Sequence, residues 1–318
     1  MTSKYNLGDF FPVVMLLMLG LILAGNIFAQ EDEEKNIQSE TLMKNRPAST
    51  RSTSNSSRKK VLYRFVRKSQ VKKKRVNSKP KRVKMEDALL GLTVWKLRPA
   101  EKEASANKSS ENSGDDTEDT LERIEADMPL RDGERIRISV ESLSHKGYLY
   151  VIDRELYSDG SYSSPKLIYP TLLTPNRNSL IRPGDLIFIP QGSRDFRVKS
   201  KQAEKIQTAE VLTFIVSPTP LIKLSDLEMK AIDIPLSQFE AWVDKWEPDA
   251  TTLMEEIDGA GKTITLVEQS VGQESAKDLT EQSSRLSPDD PTPQTVFRSR
   301  IKSGNPFLVN VSIKYAAN

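Results

Sequence analysis

The sequence predicts a mainly β fold, an antiparallel β-sandwich-like domain with one or two packed helices. In residues 135–140 apolar side chains alternate with Arg and Ser, which is typical of a strand with one buried face. The runs 148–152 and 211–216 are almost entirely apolar, which indicates central strands covered on both faces. Turn-forming residues such as Ser, Asp and Gly at 158–160 separate the runs.

The predicted elements follow one another along the chain with short links. We expect the strands at 135–140, 148–152 and 166–169 to form one meander, because short links favour antiparallel neighbours. The last two strands are expected to pair as a hairpin around Gly304 and Asn305. A short helix is expected near 121–126 and a long polar loop at 268–293. The other predicted strands are 89–98, 186–189, 195–199, 210–217, 263–267, 295–301 and 307–315.

Residues 235–246 are the clearest helix prediction. Between Phe239 and Trp246 the large apolar side chains recur at spacings of three, one and three, which places them on one helical face. Ser237 is expected to be the N-cap, with Glu240 three residues later completing a capping box. This stripe predicts packing against a sheet and not a ligand box.

Composition divides the chain into three parts. Residues 1–29 read as a signal peptide, because an apolar run at 10–29 ends in a small residue; an uncleaved membrane anchor is the alternative. Residues 30–85 are expected to be a disordered linker with a basic tract, since they offer little apolar surface to bury. Residues 86–318 are the predicted β-rich domain, with a disordered acidic insertion at 100–120. This organisation predicts an exported protein of the periplasm or cell envelope, with the 10–29 anchor as the open alternative.

The charge of the chain is segregated, although its formal net charge is only +3. From Lys44 to Lys84 there are 17 Lys or Arg and no Asp or Glu. Such a tract attracts polyanions, and behind an export signal nucleic acid is not the expected partner. The expected partners are anionic lipid, envelope polysaccharide, the acidic part of the same chain or a protein partner; a solvated tail without any partner is the alternative. Its two dense clusters contain Lys72, Lys73, Lys74, Arg75, Lys79, Lys81 and Arg82.

Several chemistries are poorly supported by the residue inventory. The chain has no cysteine, which excludes disulfides and thiol catalysis, and its one histidine, His145, makes a catalytic triad or a histidine zinc site improbable. Asp153, Glu155 and Asp159 lack the spacing of a calcium loop, so turn and solvent roles are favoured. Residues 259–263 resemble a phosphate-binding loop but have Glu256 where its first glycine belongs, and we expect a tight turn. We therefore expect no metal and no cofactor.

Tyrosines concentrate in the predicted meander. They offer a stacking surface for a sugar or an extended peptide, although cross-strand packing is the more ordinary role of aromatic residues in strands. The ligand-binding candidates are Tyr148, Tyr150, Tyr157 and Tyr162.

Ordered blocks within residues 89–315 resemble an uncharacterised bacterial family, the domain-of-unknown-function family numbered 4384, in the form seen in exported acidobacterial-type proteins. The resemblance implies an exported envelope domain, elsewhere fused to kinases or peptidases, without an established active site. The blocks are GLTVWKLRP, ERIRISVES, GYLYVIDRELYSDG, LIYPT, PGDLIFIP, VLTFIVSPTPL, DPTPQTVFR and NPFLVNVSIKY.

The sequence thus predicts a non-enzymatic binding or scaffolding domain of the envelope, tethered to anionic partners by the basic tract. The alternative is an enzyme that acts on glycan or peptide through carboxylates of the Asp153–Asp159 region. A convergent carboxylate pair in a cleft would favour the enzyme, and a closed sheet face would favour the binding module.

Overall fold

Two antiparallel sheets and two α-helices make up the part of the chain that the computed structural model describes. The prediction of a mainly β, antiparallel fold with one or two helices is confirmed. The signal-like run, both dense basic clusters and most of the acidic insertion lie outside the described residues. Those residues are 43–48, 61–67, 84–99, 119–125, 127–199, 201–202, 205–248, 250–256, 259–277 and 284–316.

The strands and α-helices of the described residues are numbered in chain order. The first nine strands are β1 (Val61–Arg67), β2 (Met85–Pro99), β3 (Asp119–Ile124), β4 (Arg135–Ser142), β5 (Gly147–Tyr157), β6 (Lys166–Tyr169), β7 (Leu180–Ile181), β8 (Leu186–Ile189) and β9 (Phe196–Arg197). They are followed by β10 (Lys201–Gln202), β11 (Lys205–Ser217), β12 (Ile232–Asp233), α1 (Leu236–Trp246), β13 (Ala250–Glu256), α2 (Leu266–Lys277), β14 (Thr295–Lys302) and β15 (Phe307–Lys314).

The strands divide between two sheets. The first has the order β1-β13-β14-β2-β4-β8, with β3 also pairing β2 and β9 also pairing β4. The second has the order β10-β11-β5-β6-β12, with β15 also pairing β11 and β7 also pairing β5. Their inner faces share one apolar core, which makes the fold a β-sandwich. Core residues include Leu90, Leu92 and Val140 of the first sheet and Leu149, Val151, Leu212, Phe214 and Val309 of the second.

Each sheet also has a helix on its outer face. Helix α1 packs Phe239 on the second sheet, against Tyr150 and Ile152. Helix α2 packs Val271 on the first sheet, in a cluster with Trp95 and Phe188. Because both faces of the central strands are covered, the runs 148–152 and 211–216 carry no polar alternation, as predicted.

Two pairing predictions are wrong. β4 and β5 do not form a meander, since β4 pairs β2 and β8 in the first sheet and β5 pairs β11 and β6 in the second. β14 and β15 do not form a hairpin ladder, because β14 pairs β2 and β13 while β15 pairs β11. In both cases the short link carries the chain from one sheet to the other, so strand neighbours in sequence face each other across the core.

Four local predictions are also wrong. The expected strand at 263–267 and loop at 268–293 are replaced by an isolated bridge at Thr263 and by helix α2. The expected helix near 121–126 is replaced by β3, which extends the sheet along the second half of β2. Helix α1 does form, but its N-cap is Pro235, without a side-chain capping bond, so the predicted capping role of Ser237 is not observed.

Two segments of the predicted linker are ordered. Residues 61–67 form β1, which pairs β13 along its whole length and so completes one edge of the first sheet. Residues 43–48 lie against the sandwich, with the side chain of Arg46 buried against Glu141. The prediction of a disordered linker over 30–85 therefore does not hold for these two segments, because a long-range strand pairing and a buried ion pair stabilise them.

Candidate functional site

The candidate site lies where the inner face of the second sheet changes from apolar to acidic. On β5, Val151 belongs to the sandwich core, and the period of two places Asp153 and Glu155 on the same face beyond it. On β11, Glu210 lies two residues before Leu212, on the same face and again beyond the apolar core. We call Asp153, Glu155 and Glu210 the acid cluster. Its position follows from strand alternation, which extends the inner face past the end of the apolar core.

Asp153 and Glu210 form the centre of the acid cluster. Burial, followed by the charge of Glu210 and a hydrogen bond with it, raises the pKa of Asp153 to about 8. Burial also raises the pKa of Glu210, although hydrogen bonds with Asp153 and Tyr315 work in the opposite direction. Two adjacent carboxylates cannot both ionise cheaply in a desolvated site. The pair therefore holds one proton at neutral pH.

Two neutral hydrogen-bond donors contact the Glu210 side of the carboxyl pair. The hydroxyl of Tyr315 donates to Oε2 of Glu210 at 3.0 Å, and the side-chain amide of Gln207 donates to the same oxygen. A β-bulge between Gln207 and Ala209 brings Gln207 to the face of Glu210, which a regular strand would deny to residues three apart. Burial and the charge of Glu210 raise the pKa of Tyr315 well above its usual range. This hydroxyl therefore stays a donor across the physiological range.

A groove of about 620 Å³ opens beside the acid cluster. It lies between the end of β5, the start of β6 and the first turn of α1. Tyr157 lines it, and its hydroxyl donates to Oε2 of Glu155, which raises the pKa of Tyr157 to about 12. The lining thus combines an aromatic ring, hydroxyls and charges of both signs. Polar lining residues are Glu155, Tyr157, Ser163, Ser164, Lys166 and Asp233.

The four candidate tyrosines do not form one platform. Tyr150 is only 3% exposed, and its hydroxyl accepts a hydrogen bond from the backbone N–H of Leu221 at 2.9 Å. The prediction that Tyr150 contacts a ligand is therefore wrong, because its side chain is buried. Tyr148 is half-buried against the same cluster beneath α1. Tyr162 is 47% exposed and stacks on Arg154, whose guanidinium carbon lies 4.2 Å from the ring centroid. Of the four, Tyr157 is the one that lines the groove.

The carboxylate pair differs from the one suggested by sequence spacing. Asp159 lies in the exposed turn after β5, where its carboxylate accepts bonds from the backbone N–H and hydroxyl of Ser161. Its predicted turn role is therefore observed, and the partner of Asp153 is Glu210. An acidic residue beside the apolar run 211–216 was the sequence signal for Glu210. Nothing in the sequence indicated the pairing, which joins residues 57 positions apart on adjacent strands.

A second group of carboxylates is built around a cation. Arg123 of β3 contacts Oε2 of Glu256 at 3.2 Å and also donates to Oε1 of Glu268 on α2. Its guanidinium carbon lies 5.2 Å from the ring centroid of Trp95. We call Arg123, Glu256 and Glu268 the arginine-centred cluster. Because all three side chains are almost fully buried, the cluster holds α2 on the sheet and offers no ligand surface.

His145 lines a small cavity of about 50 Å³ at another corner of the sandwich. Its Nδ1 lies 2.6 Å from Oγ of Ser144, and its Nε2 lies 3.5 Å from Oε1 of Glu86. Glu86 is a neighbour that the sequence did not indicate. The same Ser144 hydroxyl accepts the backbone N–H of Leu89 at 2.8 Å, so it fastens the corner between β4 and β5 to β2.

The remaining sequence candidates are turns or lie outside the described residues. Residues 259–263 form the predicted tight turn, with Gly261 at a φ of 81°. No group of three or more His, Asp or Glu among the described residues is arranged to hold a metal ion. The polyanion-binding candidates Lys72–Arg75 and Lys79–Arg82 lie outside the described residues.

Comparison with known proteins finds no family model, no curated protein and no solved structure that matches this chain. Within the described residues, no helix has the length and apolar character needed to cross a bilayer. The features of this chain that bear on its function are the groove, the acid cluster and the charge pattern.

Proposed function

We propose that this chain is an exported, non-enzymatic binding or scaffolding domain of a bacterial envelope, tethered to anionic partners by its basic tract. The observation that carries the proposal is the groove beside the acid cluster. Its volume of about 620 Å³ is that of a site for a small ligand or a short stretch of polymer. The resemblance to family 4384 supports the envelope location, and membership of that family is part of the proposal.

The groove favours a polar ligand with many hydrogen-bond donors. Glu155 and Asp233 offer carboxylate acceptors, and the ring of Tyr157 offers a face for stacking. Lys166 adds one donor, opposite Asp153 in the β5–β6 ladder. A glycan or an extended peptide of the cell wall has this chemistry.

The groove is tested with two defined probes, a chitin tetrasaccharide and a peptidoglycan disaccharide tetrapeptide, by calorimetry and crystal soaking. Asp233→Ala should weaken binding by about 10-fold or more, because a charge-assisted hydrogen bond is lost. The matched control is Asp244→Ala, an exposed carboxylate on α1 that does not line the groove. Failure of both probes to bind, or equal loss in both variants, would remove the groove from the proposal.

The tether rests on the charge pattern of the sequence. The expected partners are anionic lipid or envelope polysaccharide, or else an acidic protein partner; membrane insertion is expected only if residues 10–29 are not cleaved. Export itself is tested by mass spectrometry of the mature chain, which should begin near Gln30. An intact Met1 on a cytoplasmic protein would contradict it.

The tether is tested on anionic vesicles with the full chain. Changing the seven cluster residues of 72–82 to Gln should abolish most binding at low salt, since each Lys or Arg is worth about 1 kcal/mol at an anionic surface. High salt should have the same effect on the unchanged protein. The control variant changes seven exposed residues of the sandwich, namely Lys146, Lys199, Lys223, Lys230, Lys245, Arg300 and Lys302, to Gln. Equal loss in both variants would show that net charge, and not the tract, governs binding.

The second candidate is an enzyme that uses the Asp153–Glu210 pair. The observation that favours it is the shared proton, with Oδ1 of Asp153 buried and without a hydrogen-bond partner in the described structure. A protonated acid beside an ionised one supports general acid–base catalysis. Direct contact between the two carboxyls is closer than the ~5 Å spacing that retaining glycosidases use, which favours the binding module. Release of reducing sugar or peptide from the two probes, abolished by Asp153→Asn, would establish the enzyme instead.

A further inference from the structure

Arg46 has a complete set of hydrogen bonds to the sandwich. Its Nε and one terminal nitrogen donate to the two carboxylate oxygens of Glu141, each at 2.6 Å. The remaining N–H groups donate to the backbone carbonyls of Ser287 at 3.0 Å, Asp290 at 3.1 Å and Pro291 at 3.1 Å. A guanidinium has five N–H groups, and each of those of Arg46 therefore has one acceptor. We call these acceptors the arginine pocket and residues 43–48 the strap.

The pocket discriminates by geometry as well as by charge. The Arg46 and Glu141 side chains are 0% and 1% exposed, so their pairing is desolvated. Burial raises the pKa of Glu141, and the Arg46 guanidinium opposes that shift. A lysine ammonium has three donors on one atom and cannot span the carboxylate and three separate carbonyls. The site therefore selects arginine over lysine.

The strap is not part of either sheet. Among the described residues, no strand pairs with 43–48. Its hydrogen bonds to the described part of the sandwich come from the side chains of Arg46 and Asn45. The amide of Asn45 donates to the carbonyl of Leu143 at 3.1 Å. Met43 adds apolar burial at 5% exposure. This is the pattern of a short bound peptide that is anchored by one buried side chain.

The covalent link to the sandwich is also long. Residues 49–60 connect the strap to β1, and such a length spans up to ~40 Å when extended. The strap can leave the pocket without disturbing the pairing of β1 with β13.

We infer that the strap is a peptide ligand of the sandwich, separable from its fold and held by an arginine-selective pocket of Glu141 and the carbonyls of Ser287, Asp290 and Pro291. The occupant is the chain's own residues 43–48. The inference is independent of what the groove binds. It assigns the N-terminal part of the chain a specific docking point, which a flexible linker would lack.

The test uses the full chain with a protease recognition sequence inserted between residues 50 and 59. After cleavage, the fluorescently labelled N-terminal fragment should co-elute with the sandwich at micromolar concentration and dissociate on dilution. A synthetic peptide of residues 41–49 should displace it. The same peptide with Arg46→Lys should be about 10- to 100-fold less effective, because charge-assisted bonds are lost. No variant of the sandwich is needed, so impaired folding cannot confuse the result.

Three results would each contradict the inference. Immediate loss of the fragment after cleavage would show that the pocket does not bind the strap by itself. Release only on unfolding of the sandwich, followed by circular dichroism, would show that the strap is an integral part of the fold. Equal displacement by the Arg and Lys peptides would refute the selectivity.

Discussion

The acid cluster and the arginine-centred cluster place carboxylates inside the same molecule in opposite ways. In the arginine-centred cluster, Glu256 and Glu268 converge on Arg123 and almost no surface is exposed. In the acid cluster, Asp153 and Glu210 face each other. A shared proton, and not a cation, reduces the repulsion between the two carboxyl groups. The first cluster lies between a sheet and α2, whereas the second adjoins an open groove.

The difference separates a structural use of buried charge from a responsive one. A guanidinium keeps its charge at any pH at which the protein folds, so Arg123 remains a fixed brace. A shared proton depends on pH and on any ligand that offers a donor. The acid cluster is therefore the one that can respond to ligand binding in the groove.

The largest expected effect comes from removing the guanidinium of Arg123 from the arginine-centred cluster. Arg123→Ala should lower the free energy of unfolding by about 3–5 kcal/mol, because the buried Glu268 loses its guanidinium partner and the buried Glu256 retains Lys262, whose side chain is 53% exposed. Urea denaturation followed by tryptophan fluorescence measures it. Arg98→Ala is the matched control, since Arg98 pairs Glu122 with its side chain 54% exposed, and its loss should cost at most about 1 kcal/mol. Equal effects of the two variants would erase the distinction between buried and exposed pairs.

The shared proton predicts a pH dependence. Because the folded-state pKa of Asp153 is raised to about 8, its contribution to stability is fully present below its unfolded pKa of 3.8 and is lost as pH rises to about 8. The limiting slope is about 1.4 kcal/mol per pH unit. Asp153→Asn should flatten the decline of unfolding free energy between pH 5 and pH 8. Urea denaturation at several pH values measures the slope.

Asp159→Asn is the control with the opposite sign. Hydrogen bonds from Ser161 lower the pKa of Asp159, so its contribution is present above its unfolded pKa and is lost as pH falls. This variant should leave the decline between pH 5 and pH 8 unchanged. A similar flattening in both variants would mean that the decline has another origin.

The packing of α2 against the first sheet, beside the arginine-centred cluster, can be tested at Gly272. A Cβ at this position would lie 2.1 Å from Cε2 of Phe188, which is itself packed against Trp95 and under the guanidinium of Arg137. Gly272→Ala should destabilise the fold by about 1–3 kcal/mol, although alanine favours helices. The exposed neighbour Gln273→Ala should change stability by less than about 0.5 kcal/mol. A stabilised Gly272→Ala variant in thermal unfolding would show that α2 is free to shift outward.

The smallest expected effect is at the edge of the acid cluster. Tyr315→Phe removes the hydroxyl that donates to Glu210 and should cost about 0.5–1.5 kcal/mol. Since this bond lowers the pKa of Glu210, its loss should raise that pKa further. Carboxyl chemical shifts followed by NMR titration measure the change. An unchanged Glu210 titration in the variant would show that Tyr315 does not tune the shared proton.

Much of the fold could be predicted from local patterns, and the two helices show where that stops. The stripe from Phe239 to Trp246 predicted α1, because the residues of its buried face are apolar and recur at helical spacing. Helix α2 buries Glu268 and Gly272, neither of which contributes to an apolar stripe, so the pattern indicated a loop. The sequence indicated one member of the Asp153–Glu210 pair. Asp153 was a candidate residue, whereas its partner Glu210 lies on another strand and was not a candidate.

By itself the sequence determined the class of fold, the positions of most strands, helix α1 and the segregation of charge. Each of these depends on neighbours within a few residues, through the side-chain period or local composition. The tertiary structure alone decided which strands share a sheet. It also decided that Glu210 contacts Asp153 and that Glu141 pairs with Arg46. A period of two shows that one face is buried but not which partner covers it, because the partner is chosen by contacts between residues far apart in the chain.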